Sequence, residues 1–161
     1  IGKPNAGKSS LLAALTRAKP KIANYPFTTI NPNLGVTYYG GKEITLADIP
    51  GLIEGAHKGV GLGDKFLRHI ERNSILLFMI PVTSEVDKEF KLLHKELKNY
   101  NKELLEKKII IAVTKCDLLS EKELKEMKFN LKQEIIKISS VTGYGLENLK
   151  DAIWKKINLN N

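Results

Sequence analysis

The chain has 161 residues, of which 42% are hydrophobic and 27% charged, with one cysteine and a formal charge of +8. That length suits a single domain with a proper core, and the composition is that of a globular protein. The longest apolar runs, residues 75–82 and 109–113, are too short to span a bilayer. The lone Cys116 excludes an internal disulfide and is compatible with a reducing compartment.

Helix and strand signals alternate along the chain. A helix is expected from about Ala6–Gly7 through SSLLAALTRA, with Pro20 stopping it. ANYPFTTINPN, rich in proline and asparagine, reads as loop. LGVTYYG and KEITLADI read as two strands turned by Gly40-Gly41. A glycine-rich loop then leads to a helix over DKFLRHIERN, with Phe66, Leu67 and Ile70 on one face. SILLFMIPV is a buried strand and EVDKEFKLLHKELKNYNKELL an amphipathic helix. KIIIAVT is a second buried strand. A helix around SEKELKEMKFNLK follows, with Ser120 and Glu123 spaced as a capping box. EIIKIS is a strand and GLENLKDAIWKKI the final helix.

This order predicts an α/β fold with a mostly parallel central sheet and helices on both faces. Ligands of such sheets sit at the carboxyl ends of the strands. The first loop is GKPNAGKS, residues 2–9, which satisfies G-x-x-x-x-G-K-[ST]. Its glycines let Gly2, Asn5, Ala6, Gly7, Lys8, Ser9 and Ser10 wrap phosphate oxygens ahead of a helix N-terminus. Lys8 is expected to reach the β- and γ-phosphates and the Ser9 hydroxyl to ligate Mg²⁺. Only Ile1 precedes this loop, so the chain is expected to begin inside its own first strand, as a fragment.

Asp48 stands at a strand end before Pro50-Gly51, a D-x-x-G pattern. Its carboxylate is expected to hold Mg²⁺ through water, and the Gly51 N–H to meet the γ-phosphate. Thr29, with Thr28 as the alternative, is the candidate to complete the magnesium shell. Ser9, Thr29 and Asp48 are therefore the metal set.

TKCD, residues 114–117, follows a buried strand and fits [NT]-K-x-D. Asp117 suits the N1–H and exocyclic amine of guanine, a donor pair that adenine lacks. The Lys115 stem is placed along the base plane. In ISSVTG, the backbone around Ser139, Ser140 and Val141 is expected to meet the guanine O6. Cys116 reads as filler rather than catalyst. Among the histidines, His94 is assigned to the surface, His57 to the loop after Gly51 and His69 to a helix face. The positive charge invites a nucleic-acid reading, but HKELKNYNKELLEKK equally suits a solvated helix face with i, i+4 pairs.

Taken together, GKPNAGKSSLL, ANYPFTT, NPNLGV and DIPGLIEGAHKGVGLGDKFLRHIER resemble the Obg family of ribosome-associated GTPases, over the whole chain. The related YchF-type proteins resemble ATP users and lack this base motif. The resemblance implies one P-loop GTPase domain over residues 1–161, small-GTPase-like. It also implies GTP/GDP and Mg²⁺ as ligands, the large ribosomal subunit (its RNA and proteins) as partner, a monomeric domain, and a cytoplasmic, stromal or matrix location.

Asparagine is commoner in the family where Thr114 stands, so a side-chain contact to the phosphate loop is expected to be lost. Leu52 stands where other switches place a water-orienting glutamine. In related GTPases an asparagine placed like Asn5 helps hold K⁺ against the phosphates. Asn5, Lys8, Thr29 and Gly51 are accordingly the candidate catalytic set, with intrinsic turnover of the order of 10⁻⁴ to 10⁻² s⁻¹. The competing expectation is a nucleotide-gated ribosome- or RNA-binding module with negligible hydrolysis of its own.

Overall fold

The computed structural model describes residues 1–16, 21–22, 33–48 and 73–159, without the side chains of residues 21, 22 and 100. The described residues form two three-stranded sheets. The first is antiparallel and joins β1 (Lys21–Ile22), β2 (Asn33–Tyr39) and β3 (Lys42–Asp48). Its hairpin pairs Tyr39 with Lys42 across Gly40 (φ 56°) and Gly41 (φ 75°). Two successive left-handed residues match the twist of the strands, which is why two glycines serve there.

The second sheet is parallel, ordered β4 (Ile75–Pro81), β5 (Lys108–Thr114), β6 (Glu134–Lys137). The near-continuous apolar runs of β4 and β5 follow from burial on both faces. On one face Leu76, Phe78, Ile80, Ile111 and Val113 pack against α2 (Val86–Tyr100), where Phe90 meets Phe78 edge-on with ring centroids 5.1 Å apart. On the other, Met79, Ile110 and Ala112 pack with α1 (Lys8–Leu15) and α4 (Leu146–Asn158), through Leu11, Leu15, Leu149 and Ile153. Ile1 lies beside β4: its amine donates to Leu77 O and its carbonyl accepts from the Met79 N–H, both at 2.7 Å, a parallel ladder.

Two expected helices are shorter in the structure. The helix foreseen through Leu105 stops at Tyr100. Asn101 is extended (φ −156°, ψ 116°), and its side chain accepts the Glu103 N–H to start a 3₁₀ turn, Lys102–Glu106. An asparagine side chain competes with the helix for backbone donors, and here it wins. The helix expected over residues 120–132 is α3 (Glu121–Glu126), opened by the foreseen capping box. Beyond it, M-K-F-N-L-K alternates apolar and polar, a period of two rather than 3.6. Met127, Phe129 and Leu131 accordingly turn toward the core, while Lys128, Asn130 and Lys132 are exposed. The Lys137 ammonium takes the Leu124 carbonyl in the last turn of α3. The helix expected over DKFLRHIERN falls on residues 64–73, of which 64–72 lie outside the described residues, as do residues 17–20 at the end of the first expected helix.

Candidate functional site

The loops after Ile1, β5 and β6 meet at one end of the parallel sheet. In the first, Gly2 is buried, and a Cβ there would stand 2.7 Å from Met79 O and 2.9 Å from the Ala6 Cβ. Only glycine lets the loop lie this close to β4. The Ala6 N–H donates back to Lys3 O at 3.1 Å. Asn5 (φ 66°) and Gly7 (φ 92°) both turn left-handed, the kind of alternation that makes backbone N–H groups converge on an anion. Gly7 is the N-cap of α1, so no side chain caps the helix, and its first turn has no acidic residue. The orphan N–H groups and the helix dipole make this end receptive to phosphate. The Lys8 ammonium donates to Gly2 O at 2.9 Å, so the side chain folds back over the loop. Ser9 and Ser10 are exposed on the first turn. Lys3 also reaches Glu89 of α2 at 3.8 Å.

Asp48 ends β3. It lines, with Lys8, Ile1, Leu77 and Met79, a cleft of about 130 Å³ between β3 and β4. Asp48 Oδ1 is buried and has no hydrogen-bond partner among the described residues. A buried carboxylate oxygen left orphaned in this way calls for a cation or an ordered water. With the Ser9 hydroxyl it offers the hard oxygen donors that suit magnesium held chiefly by a phosphate ligand. The residues present therefore fit that ion. No cluster of three histidine, cysteine, aspartate or glutamate side chains exists among the described residues, and a phosphate-held magnesium needs none. Thr28, Thr29, Gly51, Leu52, His57 and His69 lie outside the described residues.

At the end of β5, the Thr114 hydroxyl donates to the Ala6 carbonyl at 2.8 Å, with both residues buried. This corrects the expectation that threonine forfeits the tie between base loop and phosphate loop: a hydroxyl at this close approach reaches what a longer amide would. Lys115 follows in the left-handed region (φ 61°) and leads into a 3₁₀ turn, Cys116–Leu118. The Cys116 N–H donates to Ile138 O and the Ile138 N–H to Val113 O, which locks this loop to the next one.

The Ser139 hydroxyl donates to Asp117 Oδ1 at 2.7 Å and in turn accepts the Thr142 N–H at 3.2 Å. Sequence reasoning assigned Ser139 a backbone role, but its N–H is spent on Tyr144 O at 2.9 Å. Ser139 acts instead through its side chain, by orienting a carboxylate 22 positions upstream. No local pattern signals such a contact. The N–H groups of Ser140 and Val141 have no partner among the described residues. The Val141 side chain is 84% exposed at the rim. Cys116 is packing, as expected: it is buried, its thiol donates to Val113 O at 3.2 Å, and desolvation raises its pKa. His94 was assigned to the surface. It is half-buried, with its ring centroid 5.5 Å from that of Phe90.

The arrangement thus joins an anion-receptive loop with a cation over it to a fixed carboxylate flanked by free N–H groups. It suits a ligand carrying phosphates at one end and a donor-rich base at the other.

Known proteins share this architecture. A family described as 50S ribosome-binding GTPase matches residues 1–115. A curated GTPase Obg of Parabacteroides distasonis is 53% identical over 165 aligned residues, which cover 100% of this chain and 43% of that protein. GTPase Obg of Porphyromonas gingivalis is 55% identical, with 98% and 41% covered. The chain thus spans less than half the length of these relatives. Among solved structures, the G domain of the T. maritima FeoB iron transporter superposes with a TM-score of 0.71 at 30% identity, covering 98% of this chain and 96% of that one. The cytosolic domain of L. pneumophila FeoB gives 0.67 at 18% identity, covering 96% and 61%, a likeness of fold alone. The matched residues run through the phosphate loop and β5 to Lys115, and the chain belongs to the 50S ribosome-binding GTPase family, in which its relatives are of the Obg type.

Proposed function

We propose that this chain binds GTP and hydrolyses it to GDP and phosphate, as a switch in large ribosomal subunit assembly. The observation that carries the reading is the Thr114–Ala6 hydrogen bond. It fixes the phosphate-binding and base-reading loops to each other at the strand ends.

In this reading Asp117, held by Ser139, accepts the guanine N1–H and amine, while the Ser140 and Val141 N–H groups face O6. The loop N–H groups and Lys8 hold the β- and γ-phosphates and stabilise the charge that grows on the β–γ bridging oxygen. Water attacks the γ-phosphorus, the bond to the bridging oxygen breaks, and GDP and phosphate leave. Ser9, Asp48 and Thr29 would hold magnesium, which would supply neutralising charge at the phosphates. Gly51 senses the γ-phosphate, and its release frees the loop beyond. Leu52 carries no group to orient water; Asn5 would help hold a potassium ion, which would supply further positive charge at the phosphates. The Asn5 backbone at φ 66° supports that loop shape.

Residues 1–161 are taken as one such domain, with Ile1 belonging to a strand beside β4 on its ladder bonds. No helix among the described residues is long and apolar enough to cross a membrane. We place the protein in the cytoplasm or an equivalent organelle compartment, as a monomeric domain that engages ribosomal RNA and proteins.

The test is competition for fluorescent GDP by GTP, ATP and XTP. GTP should displace the probe and ATP should not. Asp117→Asn should transfer preference to xanthine nucleotides. Displacement by ATP would refute the base assignment. Equal turnover in potassium and sodium would remove the Asn5 role alone.

A further inference from the structure

Helix α2 turns Val86, Phe90, Leu93 and Leu97 into the core. The side away from the core carries Lys88, Lys91, Lys95 and Lys98, all exposed. At 100° per residue these four fall in an arc about 80° wide and run about 15 Å along the helix axis. Asp87 borders that stripe, but its Oδ2 accepts the Asn130 N–H and its Oδ1 is buried; Glu89, 10% exposed, faces Lys3, and Glu96 is half-buried. Lys88 pairs with Glu85 at 2.6 Å in an exposed pair, which is worth little in water. Lys91, Lys95 and Lys98 have no ion-pair partner among the described residues. The mixed composition of the segment concealed this segregation. Lysines three and four apart repel along the helix, and three such neighbouring pairs occur here in succession.

We propose that this stripe is a docking face for the phosphate backbone of an RNA double helix. A linear row of exposed ammonium groups, three of them without an ion-pair partner among the described residues, complements the closely spaced phosphates of a nucleic-acid duplex. Val86, Phe90, Leu93 and Leu97 are buried and, beside the stripe, Leu92 is 45% exposed; one such side chain gives the helix little to insert into a lipid surface. Lysine, a point charge without the planar fork of arginine, suits contact that does not read sequence. The choice of RNA over DNA rests on the ribosomal reading above; the charge geometry does not.

The test is fluorescence anisotropy of a labelled RNA duplex with the full chain, over about 50 to 200 mM KCl. Three proteins are compared: the native chain, Lys91→Gln/Lys95→Gln/Lys98→Gln, and the charge-matched control Lys122→Gln/Lys125→Gln/Lys128→Gln. All six lysines are exposed, and glutamine keeps helix propensity. Three lost phosphate contacts should weaken RNA binding by at least about thirtyfold and lower the salt slope by about two to three. The control should stay within about threefold of native. Equal losses in both variants would reduce the effect to net charge and overturn the proposal, as would an unchanged slope. Tighter binding to phosphatidylserine vesicles, to polyglutamate or to a DNA duplex than to RNA would also overturn it. GDP binding, measured on all three proteins, reports folding. Its absence from the native chain would count against the nucleotide reading and leave the anisotropy comparison intact.

Discussion

Thr114→Val is the sharpest probe of the tie between the two halves of the site. Valine keeps the shape of threonine and removes only the hydroxyl that the Ala6 carbonyl accepts at 2.8 Å. Ala6 and Thr114 are 0% and 3% exposed, so water cannot replace the lost donor. An orphaned buried acceptor costs about 1–3 kcal/mol. The bond exists without nucleotide, so part of that cost should appear as lost stability. At about 2–4 °C per kcal/mol for a chain of this size, the melting temperature would drop by about 2 to 12 °C if the full cost fell on stability. The remainder should appear in GDP affinity, because the loop that cradles phosphate would lose its anchor. If the full cost fell on binding, the loss would be about 5- to 150-fold. Differential scanning fluorimetry and titration with fluorescent GDP separate the two parts. Thr114→Ser, which keeps the hydroxyl, should hold affinity within about threefold. A valine variant that melts within 1 °C of native and binds GDP within about twofold would refute the anchoring argument.

Three further outcomes follow from the same geometry. Ser139→Ala removes the donor to Asp117 Oδ1, and GDP should bind about ten- to hundredfold more weakly, since hydrogen bonds to charged groups contribute about 1.5–3 kcal/mol; unchanged affinity in the titration would show that Asp117 needs no such partner. Asp48→Asn should cut GTP turnover by about tenfold or more and flatten its magnesium dependence, while GDP binding in EDTA stays near native; a magnesium titration parallel to native would exclude Asp48 from the metal set. The Asp151 carboxyl is held below its usual range by hydrogen bonds from Lys155 and then Tyr39. A depressed carboxylate pKa stabilises the fold above the unfolded value and loses that contribution as pH falls through the folded one. Tyr39→Phe should therefore lower the melting temperature at neutral pH, with the gap closing at acidic pH. A gap independent of pH would refute the linkage.

How much was legible in the sequence depended on distance along the chain. The phosphate loop, the Gly40-Gly41 turn, the Ser120–Glu123 capping box and the limits of β5 were all readable. Each rests on constraints between residues a few positions apart, such as left-handed backbone, donor spacing or an apolar run. The left-handed turns at Asn5 and Lys115 fall in the two loops that the motifs had marked. The break at Asn101 and the early end of α3 were open to the same reading. In both, a local side-chain hydrogen bond or a shift to two-residue alternation outweighed helix propensity. What only the tertiary structure decided lies between distant residues. The Thr114–Ala6 contact spans 108 positions and the Ser139–Asp117 contact 22, and nothing local encodes either. The lysines of α2 stand between the two cases: their helical spacing is local, but only the tertiary structure shows that Lys91, Lys95 and Lys98 have no ion-pair partner among the described residues. Local chemistry thus wrote the motifs, and burial determined which groups are left free to act.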